Sequence, residues 1–114
     1  MPGMRSKTLF LFKNMKFSFI VKEHEFDGKI VLAIVDKQLL GKQILEGKKI
    51  LDLKSSFYQG EEKSKEDVLR LVKKASRVNI VGKNIVSLLK QKNIIDDFSQ
   101  IGGVAYSQTV FIQN

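Results

Sequence analysis

The chain has 114 residues, no cysteine, one histidine and a formal net charge of +8. That length suits one domain with one core, and the lack of cysteine excludes a disulfide framework and any thiolate-bound metal. No stretch reaches the roughly 18 apolar residues that a membrane-crossing helix needs, so no membrane partner is expected.

Residues 1–14 differ in pattern from the rest of the chain. Leu9–Phe12 (LFLF) is too short for the apolar region of a signal peptide, and a clean alternating pattern begins only after a later methionine, Met15. The expectation is an N-terminal extension over 1–14, with Met15 the candidate start, followed by one α+β domain over 15–114. Thr8–Phe12, if translated, could add to a sheet edge.

Phe17, Phe19 and Val21 alternate with Ser18, Ile20 and Lys22, which reads as a strand. Asp27-Gly28 is a strong hairpin signal, because such a turn needs positive φ. Lys29–Val35 (KIVLAIV) is then the partner strand, apolar enough to be central. Asp36 is expected to cap a short helix over Lys37–Leu40, which Gly41 ends. Gly47 marks a turn, Lys49–Leu53 is a third strand, and Ser55–Gly60 is a turn or helical corner. After Asn93, Asp96-Asp97 turns the chain, and Ile101–Ile112 reads as strand material interrupted by Gly102-Gly103.

The stretch between these strands carries most of the excess charge. Residues 63–92 hold nine lysines or arginines and two acids. Ser64, three residues before Asp67, is placed to cap a helix N-terminus. At about 100° per residue, Val68, Leu69, Leu71, Val72, Ala75 and Val78 fall on one arc, with Arg70, Lys73, Lys74 and Arg77 opposite. A second helix is expected from near Asn79 to Asn93, with Ile80, Val81, Ile85, Leu88 and Leu89 buried and Lys83, Ser87 and Lys90 facing away. The fold expected is therefore an antiparallel-rich sheet with two amphipathic helices packed on one face. The two helices also admit a helix-turn-helix reading, with Lys83, Asn84, Ser87 and Lys90 as groove contacts.

Few residues offer chemistry. His24 lies between Glu23 and Glu25 and could act as a general acid or base, or simply pair with a glutamate at a strand end. Gly102-Gly103 could let a ligand approach, with Tyr106 lining the same spot; the plainer alternative is a bulge or bend between strands. Phe57 and Tyr58, near Lys54, could stack on bases or plug the core. No spacing calls for a metal or a cofactor.

Lys22-Glu23-His24, the Asp-x-x-Leu-Leu-Gly-Lys run at Asp36–Lys42, Glu46-Gly47, Phe57-Tyr58-x-Gly60, Asn79-x-Val81-Gly82 and Ile101-Gly102-Gly103-Val104 occur in that order. The set resembles the short archaeal family catalogued as domain of unknown function 424, over roughly Met15 to Gln108. The resemblance implies an archaeal cytosolic protein with one small α+β domain, and brings no activity with it. It also implies a Pro-His-Ala-Gln segment after the glycine pair. This chain has Ala105-Tyr106-Ser107-Gln108 there, so a two-histidine site is in doubt.

The expected function is a non-catalytic, cytoplasmic RNA-binding module, associated with translation. Arg70, Lys73, Lys74, Arg77, Lys83 and Lys90 would contact the phosphates of RNA or another polyanion. Two alternatives stay open: an adaptor whose basic face meets an acidic protein, and a small enzyme using His24 near Gly102-Gly103.

Overall fold

The computed structural model describes residues 18–111; the expected extension over 1–14 and its sheet-edge role lie outside them. Two strands open the fold, β1 (Phe19–Phe26) and β2 (Lys29–Asp36), antiparallel with Phe26 opposite Lys29. That register leaves a two-residue turn in which Asp27 and Gly28 both have positive φ, 52° and 75°. This is the turn whose twist suits a hairpin, and it is why Asp-Gly was legible.

A two-stranded sheet follows, β3 (Gln43–Glu46) and β4 (Lys49–Asp52), folded about Gly47. Lys49–Leu53 was expected as a third strand of the main sheet; it belongs instead to this separate ribbon. Next come a 3-10 turn at Ser56–Tyr58, the short edge strand β5 (Glu61–Lys63) and helix α1 (Lys65–Val72). Ser64 caps α1 as expected, its Oγ accepting from the Asp67 N–H at 3.2 Å.

The helix then stops at Val72, well short of Val78. Residues Arg77–Val81 form a strand, β6, and helix α2 begins only at Lys83, running to Gln91. The expected helix–bend–helix is thus helix–strand–helix, which removes the helix-turn-helix reading. Both periodicities fit the short run RVNIV. Its β-branched residues take the slot between β2 and β8, where both neighbours supply hydrogen bonds. The chain closes with the hairpin β7 (Ser99–Ile101) and β8 (Val104–Val110), turned by the glycine pair.

The main sheet has the order β5-β1-β2-β6-β8-β7, and β2 and β6 are its parallel pair. Alternation assigns its two faces. Phe19, Val21, Leu32, Ile34, Val78 and Ile80 point one way, under Val68 and Val72 of α1 and Ile85 and Leu89 of α2. Ile20, Val35 and Val81 point the other way, against Leu53, Ile44, Leu51 and Tyr58 from the β3–β4 layer. The architecture is α+β with both helices on one face of an antiparallel-rich sheet, as expected. The ribbon covering the other face was not expected.

Candidate nucleic-acid interface

The parallel pair fixes the start of α2. β2 ends at Asp36 and β6 ends at Val81, just before Gly82, side by side on the register Val35 opposite Val81. Asp36 was expected to cap the short helix after it. That helix is a 3-10 turn over Lys37–Leu39, and the Asp36 side chain makes no bond to it. Its two oxygens instead accept the backbone N–H groups of Asn84 and Ile85, each at 2.9 Å, at the first turn of α2. Asp36 is 1% exposed, and burial pushes its carboxyl above the ordinary 3.8, against the lowering effects of those two N–H bonds and the Lys83 charge. A helix N-terminus is a natural anion site, and in this protein the anion is part of the chain.

The basic residues are distributed by the elements that carry them. Arg70 lies on α1 and is ion-paired with Asp67 three residues back. Lys73 and Lys74 occupy the exposed turn after α1. Arg77 opens β6, and its neighbours on the same face are Asn79 and Val81, so it projects from the sheet face opposite the helices. The expected arc of four cations is therefore divided: the helix ends before Arg77, and strand alternation sends Arg77 away. Lys83, Ser87 and Lys90 share the solvent side of α2, as predicted, and Lys92 follows at its end. Among the described residues, Lys73, Lys74, Arg77, Lys83, Lys90 and Lys92 form no ion pair.

Two grooves border α2. One, of 630 Å³, runs between the C-terminal ends of α1 and α2; Leu69, Val72, Ile94 and Phe111 line its floor and Lys73 and Lys92 its rim. The other, of 390 Å³, lies between α2 and β7, with Lys83, Lys90, Gln91, Phe98 and Gln100 around Val86 and Ala105. Phe98 is 41% exposed, and the Lys90 ammonium stands 5.2 Å from its ring centroid. Sequence reasoning passed over Phe98, since nothing in the spacing of Asp96-Asp97-Phe98 signals that the ring stays outside the core.

The structure does not gather His24, Gly102, Gly103 and Tyr106. His24 aligns across the sheet with Val31, then Arg77, then Val110. Gly103 precedes β8, at the other end of that strand. Three strand spacings and a strand length separate His24 from Gly103 by about 27 Å, beyond direct hydrogen-bond reach. His24 stacks on Phe57, with centroids 4.4 Å apart and planes 11° apart, and its Nε2–H donates to the Phe57 carbonyl at 3.0 Å. The carbonyl can only accept, so the proton is on Nε2. Phe57 in turn meets Tyr58 edge-on at 5.1 Å. Tyr58, partly buried, packs against the core of the ribbon face, and that burial raises its hydroxyl pKa. The Gly102 N–H does bind an anion, the Glu46 carboxylate at 3.0 Å, which ties the β7–β8 turn to the ribbon. Tyr106 packs with the same face.

Among the described residues no group of three or more His, Cys, Asp or Glu could hold a metal ion, and no helix is long and apolar enough to cross a membrane. The family model described as "Protein of unknown function (DUF424)" matches residues 24–110. No curated protein matches the chain. A crystal structure of an uncharacterized conserved protein from Methanopyrus kandleri superposes with a TM-score of 0.68 at 18% identity, covering 85% of this chain and 99% of that one. At that identity the likeness concerns the fold.

Proposed function

The chain belongs to this family of unknown function, DUF424, and we propose that it is a non-catalytic, cytoplasmic RNA-binding module whose contact surface is centred on α2. The observation that carries this reading is the set of exposed lysines on α2 and on the turns that follow α1 and α2, Lys73, Lys74, Lys83, Lys90 and Lys92, none of them in a salt bridge with a described carboxylate, although the Lys83 charge is felt by Asp36. Arg77 projects from the other sheet face and lies apart from this surface, and Arg70 contributes less because Asp67 already holds it. The helix N-terminus adds nothing, since Asp36 fills it. Lysines acting as point charges favour phosphates without sequence choice.

The test is affinity for a short single-stranded RNA as salt is raised. Five lysine–phosphate contacts give a slope near −0.7 per contact, so binding weakens by about a hundredfold between 50 and 200 mM salt. No binding even at 50 mM sinks the proposal. Capture of an acidic protein that survives nuclease, with no RNA affinity, would put the adaptor reading in its place.

A further inference from the structure

We infer that the groove between α2 and β7 holds an unstacked base, with Phe98 as its stacking surface, so the RNA that this module takes is single-stranded. The inference rests on the RNA-binding reading above and adds the kind of RNA.

Three observations support it. A phenylalanine beside a buried core ordinarily turns inward, yet Phe98 leaves 41% of its surface in solvent while Ile95 and Ile101 on either side are buried. Lys90 stands over the ring at 5.2 Å, attracted to its face, and a base entering the groove would take that face and release the ammonium to the phosphate. An exposed ring beside a cation is the arrangement that stacks on bases while the charge meets the phosphate.

The walls supply the remaining chemistry. Gln91 and Gln100 each carry a donor and an acceptor, enough to meet a base edge without fixing its identity. Lys83 and Lys90, seven residues apart, lie about 10 Å from one another along the helix axis, on the side where a strand leaving the groove would pass. Val86 and Ala105 form an apolar floor. Phe98 also borders a second groove, on the β8 side with Asp96 and Asp97. Those acids repel phosphate, so the backbone is directed along α2. A duplex keeps its bases stacked inside, out of reach of such a ring; a single strand can turn one out.

The experiment uses the full chain with Phe98→Ala and Phe98→Trp, checked for an unchanged thermal melt. Three probes are titrated: a single-stranded oligoribonucleotide, a duplex RNA of the same length, and inorganic polyphosphate. The expected result is a loss of about tenfold for the single strand in Phe98→Ala, near-full retention in Phe98→Trp, and no change for polyphosphate. A 2-aminopurine placed in the single strand should be quenched on binding wild type and not Phe98→Ala. If wild type binds RNA but Phe98→Ala binds the single strand equally well, the stacking site is wrong and the RNA-binding reading stands. Tighter binding of the duplex than of the single strand also overturns it. If wild type binds neither RNA nor polyphosphate, both readings fall.

Discussion

The Asp36 carboxylate accepts the backbone N–H of Ile85, forty-nine positions further along the chain, at 2.9 Å. One residue at the end of a strand thereby fixes where a distant helix begins, and it does so at the meeting point of the parallel pair. Replacing Asp36 with Ala leaves the N–H groups of Asn84 and Ile85 without that acceptor and should cost about 2–4 kcal/mol, read as a lower urea midpoint with an unchanged slope. A loss under about 0.5 kcal/mol would show that α2 does not depend on this cap.

The same carboxyl gives a pH dependence of definite sign. Burial raises its pKa above 3.8, so the folded chain holds the proton more tightly than the unfolded chain. The stability contributed by this group is then full below 3.8 and is lost as pH rises through the folded value. Glu62 is shifted the other way, chiefly by its hydrogen bond from Lys37, but it is common to wild type and variant. The advantage of wild type over Asp36→Asn should therefore be largest at acid pH and shrink on the way to neutrality. A series of urea titrations across pH measures it, and an advantage that grows with pH contradicts the assignment.

Gly82 has φ of 122°, and a Cβ there would overlap the Asp36 carboxyl. Gly82→Ala should thus lose about 2–4 kcal/mol, from backbone strain and from a displaced cap together. Gly28→Ala, where the added Cβ meets open space, should lose about 1 kcal/mol. Equal losses at the two sites would mean that the contact with Asp36 is immaterial.

His24 and Phe57 join β1 to the 3-10 turn by a stack and a hydrogen bond. His24→Ala should destabilise by about 1–2 kcal/mol, and the double variant with Phe57→Ala should lose less than the sum of the single ones. RNA affinity should not move. If it falls while stability holds, the histidine has a part in binding that its geometry does not suggest.

Charge reversal separates the cations. Lys73→Glu and Lys90→Glu should each weaken RNA binding and flatten its salt slope by about one contact, near 0.7. Arg70→Ala should have a smaller effect, because the ion pair with Asp67 already engages it. A larger effect at Arg70 than at Lys90 would move the contact surface from α2 to α1.

Much of the fold could be read locally. Asp27-Gly28 announced its hairpin because its turn geometry needs positive φ, and Ser64 announced α1 because a cap is a contact three residues long. Alternation placed Phe19 and Val21 on one buried face, and helical spacing placed Ile85, Leu88 and Leu89 in the core, while the buried Ile20 and Val86 were left out of both patterns. Local pattern failed at Arg77–Val81, whose five residues satisfy either period, and with it the expected row of four cations was broken. It also missed β3, four residues whose partner is equally short.

The sequence alone determined that this is an α+β chain with an excess of lysines on one stretch, because composition, turn chemistry and periodicity are properties of neighbours. Tertiary structure decided which acceptor α2 receives, which way Arg77 points, and that Phe98 stays in solvent. Each of these depends on what lies across the sheet, and the spacing of residues along a chain carries no record of that.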